Sequence, residues 1–172
     1  MANRILPARL NNFNIYNKSN KPLGVATVTL PNLEAMSDTL TGAGLLGEID
    51  MPTLGHFSST EIELEWNTVT GDAVTLAPGV SEALTFRGAM QVVDGTTGEI
   101  SPVGVRIATR VMGKGLDLGS AELGSATGTT NTLEALYIKI VVDGKDVLEL
   151  DKLNNVYKVN GKDLMAKINS LI

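Results

Sequence analysis

Apolar and polar residues alternate with period two in several stretches of the chain, and each stretch predicts a β-strand with one face turned to a core. Thr60-Glu61-Ile62-Glu63-Leu64-Glu65-Trp66 is the clearest: Ile62, Leu64 and Trp66 point one way, and Glu61, Glu63 and Glu65 the other. Residues 84–93 place Phe86, Gly88, Met90 and Val92 opposite Arg87 and Gln91. Residues 103–112 set Val105, Ile107, Thr109 and Val111 against Arg106, Ala108 and Arg110. Leu136, Ile138, Ile140 and Val142 are expected to share a face, with Tyr137 and Lys139 opposite. Residues 24–30, rich in Val and Thr, read as a strand that stops at Pro31.

Turn chemistry joins these runs. Asp143-Gly144 and Asn160-Gly161 are two-residue hairpin signals, and Asp94-Gly95-Thr96-Thr97-Gly98 separates two further strands. Helix signals are few. Residues 72–77 predict one or two turns, ended by Pro78-Gly79. At the C-terminus Asp163 is a candidate cap, with Leu164, Ile168 and Leu171 at helical spacing. Residues 37–57 read as a long Gly-rich connection, neither alternating nor helical, and residues 115–132 as a second connection of small polar residues forming a hairpin tip. The fold class expected is mainly β: an antiparallel β-sandwich or partial barrel, with a short flanking helix and a C-terminal helix, in one domain over residues 1–172.

Composition narrows the chemistry. The chain of 172 residues has no cysteine, which removes disulfides and thiolate metal sites. No window is long and apolar enough for a membrane-spanning helix. The net charge of −5 argues against a protein that grips nucleic acid through its phosphates. Its distribution says more. Residues 1–33 carry four bases (Arg4, Arg9, Lys18, Lys21) and no acid, whereas residues 34–86 carry nine acids and no base. Such a division suits oppositely charged surfaces that meet between subunits, or an acidic wall facing an anionic guest.

Catalytic constellations are absent from the sequence. Gly42-Ala43-Gly44-Leu45-Leu46-Gly47 has the letters of a dinucleotide loop, but no buried strand precedes it and Pro52 follows too soon for a helix. His56 is the single histidine and cannot build a two-histidine metal site. Glu61, Glu63 and Glu65 stand about 7 Å apart on a strand, but three in a row without an aromatic platform reads as a solvated face. No enzyme activity, metal or cofactor is expected. The apolar residues inside the 37–57 segment instead predict burial against another subunit.

A family likeness supplies the rest. Val25-Ala26-Thr27-Val28-Thr29-Leu30-Pro31, the Gly42-Ala43-Gly44 loop with Gly47, Leu64-Glu65-Trp66, Phe86-Arg87-Gly88, Thr97-Gly98-Glu99, Asp143-Gly144-Lys145, Glu149-Leu150-Asp151 with Asn154, and Val159-Asn160-Gly161-Lys162-Asp163 resemble, in order and nearly from end to end, the major tail-tube proteins of contractile-tailed phages and phage-tail-like particles. The resemblance implies a β-sandwich that forms hexameric rings. Their inner sheets would join into an inter-subunit β-barrel, and the rings would stack into a hollow tube. It implies as partners further copies of the chain, a sheath protein, a tape-measure protein and a tail-tip or baseplate initiator. DNA would pass non-specifically in a phage. Assembly would take place in the bacterial host cytoplasm and the product would lie in the virion tail or in a bactericidal tailocin.

On that footing Glu61, Glu63 and Glu65 are the candidate lumen-facing acids. Leu40, Leu45, Leu46, Ile49, Met51 and Leu54, in a long assembly loop over residues 37–57, are the candidate inter-subunit or inter-ring contacts, together with Arg4 and Arg9. The alternatives are a type VI-like secretion tube subunit, which shares the implied fold and ring, and a small β-sandwich binding module.

Overall fold

The computed structural model of the protein describes residues 5–172. In chain order the strands and helices are β1 (Ile5–Tyr16), β2 (Pro22–Leu23), β3 (Thr27–Thr29), β4 (Ala35–Leu40), β5 (Ile49–Phe57), β6 (Glu61–Trp66), α1 (Gly71–Thr75), β7 (Ser81–Asp94), β8 (Ile100–Asp117), β9 (Thr129–Val142), β10 (Lys145–Asp151), β11 (Val156–Val159), β12 (Lys162–Asp163) and α2 (Ala166–Asn169). The fold is mainly β and antiparallel, with two short helices.

Ten strands form one sheet. Its main path runs β12-β11-β10-β9-β8-β7-β1-β2, and β3 and β6 branch from β9. The branch arises because β9 changes partner along one edge: residues 129–134 pair with β6, and residues 137–142 pair with β10. This sheet does not close on itself within the monomer. Among the described residues, β1 meets β7 on one side but is covered on the other only at Ile15 and Tyr16, so the outer edge of residues 5–14 is open. The strands β4 and β5 form a separate two-stranded sheet.

The core lies where β6 and the first half of β9 fold over β1, β7 and β8. Ile15, Leu23, Ile62, Leu64, Trp66, Leu84, Phe86, Ile107, Val111, Leu133 and Ile138 are buried in one cluster, joined by Ala73 and Leu76 of the α1 segment. With few aromatics available, branched aliphatics carry most of it, and each fully buried Leu, Ile or Val contributes about 1.5–3 kcal/mol. Trp66 is the largest buried side chain. Its indole Nε1 donates to Asn131 Oδ1 at 2.8 Å, and Asn131 Nδ2 in turn donates to the carbonyls of Ala73 and Leu76. Asn131 thereby supplies a donor to the Leu76 carbonyl at the end of α1, where helical partners run out, and a second donor to the Ala73 carbonyl, which also accepts from Leu76 N. The other end of α1 is capped by Thr70, whose Oγ1 accepts from Ala73 N.

Several sequence expectations are met in detail. Along β6 the residues alternate between exposed glutamates and buried Ile62, Leu64 and Trp66. Asp143 and Gly144 both have positive φ, as do Asn160 and Gly161, which is the signature of the two-residue hairpin turns their sequences call for. Gly113 is required by proximity: a Cβ there would lie 2.1 Å from the Ala77 carbonyl oxygen.

Four expectations need correction. Leu136 does not share the core face with Ile138 and Ile140. It is the extra residue of a bulge, since Arg110 pairs with Tyr137 but Val111 pairs with Ala135, and the bulge moves the buried set from odd to even positions. The C-terminal helix is a single turn, α2. Asp163 is not its cap but accepts from Met165 N in a local turn, and Leu171 is exposed. The second connection is shorter than its composition implies, because β8 continues to Asp117 and β9 begins at Thr129. What remains is tied down by bonds from Thr127 N to Asn67 O, from Ser120 N to Thr127 O and from Thr129 Oγ1 to Leu118 O. Finally, residues 37–57 are no loop. They form most of the β4–β5 hairpin, described next.

Candidate assembly surfaces

The β4–β5 hairpin projects from the body as an arm. In register, Leu40 faces Ile49, Thr39 faces Asp50, Asp38 faces Met51 and Ser37 faces Pro52. Partners across an antiparallel pair share a side, so Met36, Asp38, Leu40, Ile49 and Met51 line one face, while Ser37, Thr39, Asp50 and Pro52 line the other. Pro52 is tolerated because a two-stranded sheet consists of edges, where a missing N–H breaks no ladder bond. Every residue from Met36 to Leu54 is exposed. Leu45 and Leu46 form the tip, and Leu46 is fully exposed.

Among the described residues, only the base of the arm touches the body. Phe57 packs edge-on against Tyr157, with ring centroids 5.0 Å apart. Gly55 packs so closely on the Met165 side chain that a Cβ would collide with its sulfur. Lys152 Nζ donates to the Ser58 carbonyl at 3.2 Å and to Glu134 Oε1 at 3.0 Å. Glu134 also accepts from Ser59 Oγ and Thr60 N, so one carboxylate joins β9 to the segment that leaves the arm.

A second surface is the acidic ladder of β6. Glu63 lies between Thr29 of β3 and Thr132 of β9, and Glu65 between Thr27 and Thr130. Register extends the row to Asp117 of β8 beside Thr130 and to Glu134 beside Glu61. Glu61 is engaged by Lys114, and this pairing raises the lysine above its ordinary value. No such ion pair joins Glu63 or Glu65 to another described residue.

A third surface is the solvent side of the β1–β7–β8 ribbon. Leu6, Val93 and Ile100 stand in one row across it, Arg9, Gln91 and Pro102 in the next. Further along, Arg87 and Arg106 are direct cross-strand partners. Like charges so placed repel. Arg87 is steadied by stacking 4.2 Å over the Tyr16 ring and by donating from Nη2 to Asn20 Oδ1 at 2.7 Å. Arg106 has no comparable contact among the described residues.

Of the sequence candidates, Leu40, Ile49 and Met51 come together on the arm face, Leu45 and Leu46 lie at its tip, and Leu54 lies in its irregular base. Arg9 is exposed on β1. Arg4 lies outside the described residues. Sequence reasoning missed Met36 and Asp38, although the alternation Met36-Asp38-Leu40 was there to be found, and it missed the Arg87–Arg106 pair, which only strand register reveals. Among the described residues no group of three or more His, Cys, Asp or Glu is placed to hold a metal ion, and no helix is long and apolar enough to cross a membrane.

Two carboxylates make folding sensitive to acid. Burial pushes Asp151 up, but the Asn154 side-chain amide, the backbone N–H groups of Leu153 and Asn154, and the Arg110 guanidinium at 3.1 Å outweigh it and hold the group below its ordinary value. Glu134 is likewise lowered: Ser59, Thr60 and Lys152 outweigh its burial. A lowered folded-state value means stability that is present above the ordinary carboxylate range of about 4 and lost as pH falls through the folded value. The melting temperature is therefore expected to drop below about pH 4. Asp151→Asn should lower it at neutral pH and flatten that acid limb, as thermal melts across pH will show.

The chain is similar to known proteins along almost its whole length. The chain is 29% identical over 175 residues to the tail tube protein of Escherichia phage P2, covering 94% of this chain and 95% of that one. It is 26% identical over 171 residues to the major tail tube protein of Serratia phage KSP20, covering 92% and 91%. A family model described as phage tail tube protein FII matches residues 7–172. Matched along almost its whole length, the chain belongs to the phage tail tube protein FII family.

Proposed function

We propose that this protein is the subunit of the hollow inner tube of a contractile phage tail, joining into hexameric rings that stack and enclose a bore for DNA. The observation that carries this reading is the family match across residues 7–172, supported by relatives that bear the name tail tube protein. The open edge of β1 and the exposed arm suit it, because exposed edges are a hazard to a free monomer. Joining neighbouring sheets into one barrel around the ring would remove them. The arm supplies contacts within or between rings through Leu40, Leu45, Leu46, Ile49, Met51 and Leu54, with Arg4 and Arg9 as further contacts. Sheath, tape-measure and tail-tip or baseplate proteins are the expected partners, with assembly in the bacterial host. A tailocin would use the same tube without a genome. Sedimentation across a concentration series is the test: ring-sized and larger species should grow with concentration, whereas a lone monomer at every concentration, with or without a tail-tip initiator, speaks against the reading.

In this proposal Glu61, Glu63 and Glu65 line the bore, where repeated rings of carboxylates repel DNA and let it slide. The double variant Glu63→Lys, Glu65→Lys should still build tubes, and those tubes should retain a DNA oligonucleotide at least about tenfold more strongly at low salt. A map of the assembled tube with these side chains on the outer wall would sink the assignment.

A further inference from the structure

The apolar face of the arm carries one charge, Asp38, set among Met36, Leu40, Ile49 and Met51. Among the described residues, its carboxylate bonds only the next backbone N–H, that of Thr39. Burying this face against a purely apolar surface would strand a carboxylate, which is strongly unfavourable. The occupant must therefore offer apolar side chains around a cation. Two arms packed face to face fail that requirement, since the arm carries no Lys or Arg to meet Asp38.

The ribbon meets it. Its solvent face sets Leu6, Val93 and Ile100 beside Arg9, and Arg9 forms no ion pair among the described residues. Charge complementarity extends beyond the pair. The segment 34–57 carries Glu34, Asp38, Glu48 and Asp50 and no Lys or Arg, while the ribbon face continues from Arg9 towards Arg87 and Arg106. Besides Asp94 and Glu99 at its far turn, the acids of these strands are Glu82 and Asp117, at the opposite end of the ribbon from Leu6, Val93 and Ile100.

We infer that the arm of one copy lies across the β1–β7–β8 ribbon of another, with Asp38 paired to Arg9 and the four apolar arm residues against Leu6, Val93 and Ile100. The two surfaces differ, so the contact is heterologous and passes from copy to copy, as a ring or stack requires. This inference rests on the tube reading for its setting, but its test does not.

The chain has no cysteine, so single thiols can be placed cleanly. Asp38→Cys and Arg9→Cys proteins are mixed and treated with a short bismaleimide, with Asp50→Cys, on the opposite arm face, as control. The mixed dimer should form with Asp38→Cys and be at least about tenfold weaker with Asp50→Cys. In parallel, Asp38→Arg and Arg9→Asp should each raise the concentration needed for assembly by about tenfold. The exchanged double variant should return to within about threefold of the wild type. Tubes without the Asp38–Arg9 cross-link, or a double variant no better than either single one, overturn the inference while leaving the tube reading standing. A specific cross-link without tubes at any concentration does the reverse.

Discussion

Excising the arm is expected to abolish assembly while leaving a folded monomer. Ala35 and Phe57 are register partners at its base, so an Asn-Gly turn can join them without disturbing the strands that remain. None of residues 36–56 belongs to the buried core, and the Phe57–Tyr157 contact survives the excision. The melting temperature should therefore stay within a few degrees of the wild type, about 1 kcal/mol or so. The assembled state loses much more. Each of Met36, Leu40, Ile49 and Met51 is about half exposed in the monomer. Burying the exposed part of each contributes on the order of 1 kcal/mol per copy, and the contribution recurs at every subunit. Thermal melts together with light scattering check both halves. An armless variant that builds tubes at the wild-type concentration would remove the arm from the account.

Asn131→Ala is expected to give the largest loss of monomer stability among single polar substitutions, about 4 kcal/mol. Asn131 is fully buried. Its removal leaves the Trp66 indole N–H and the Leu76 carbonyl without their partner and takes from the Ala73 carbonyl one of its two donors, the other being Leu76 N, and each unsatisfied buried group costs about 1–3 kcal/mol. For a chain of this size that corresponds to a fall of about 8–16 °C in melting temperature. Urea denaturation measures it directly. A loss under about 1 kcal/mol would mean that water or a rearranged α1 satisfies these groups, and that Asn131 does not hold the helix to the sheet.

What the sequence discloses and what it conceals divide along physical lines. The strands β6, β7 and β8 are legible because one face is buried and the other solvated, which writes period two into the residues. The turns at Asp143-Gly144 and Asn160-Gly161 are legible because positive φ restricts the residue types allowed. The arm reads as a loop in the sequence for the opposite reason. With both faces exposed in the monomer, β4 and β5 feel no burial constraint, and Pro52 and the glycines between them resemble loop chemistry. In the proposed assembly its apolar alternation answers to a surface of another copy. β1 is hard to see in the sequence because asparagines dilute it, although Phe13 and Ile15 alternate with Asn12 and Asn14. The bulge at Leu136 leaves no local mark at all; only the competing registers of β8 and β9 reveal it.

The same logic explains the uneven legibility of the candidate surfaces. The glutamates of β6 stand out in the sequence because the strand beneath them is so regular. Which way they face in an assembly depends on how sheets from different copies join, and alternation fixes opposite faces without naming the lumen. The pairing of Arg87 with Arg106 and the nearness of Arg9 to Leu6, Val93 and Ile100 require a three-stranded register that no single stretch of sequence encodes.

The most direct test of the central claim is electron microscopy of the purified protein over a range of concentration and salt, with and without a tail-tip initiator. The account predicts hollow tubes of stacked hexameric rings, with the β4–β5 arm of each subunit lying on a neighbour. Particles that remain monomeric under every condition, or assemblies without a bore, would contradict it.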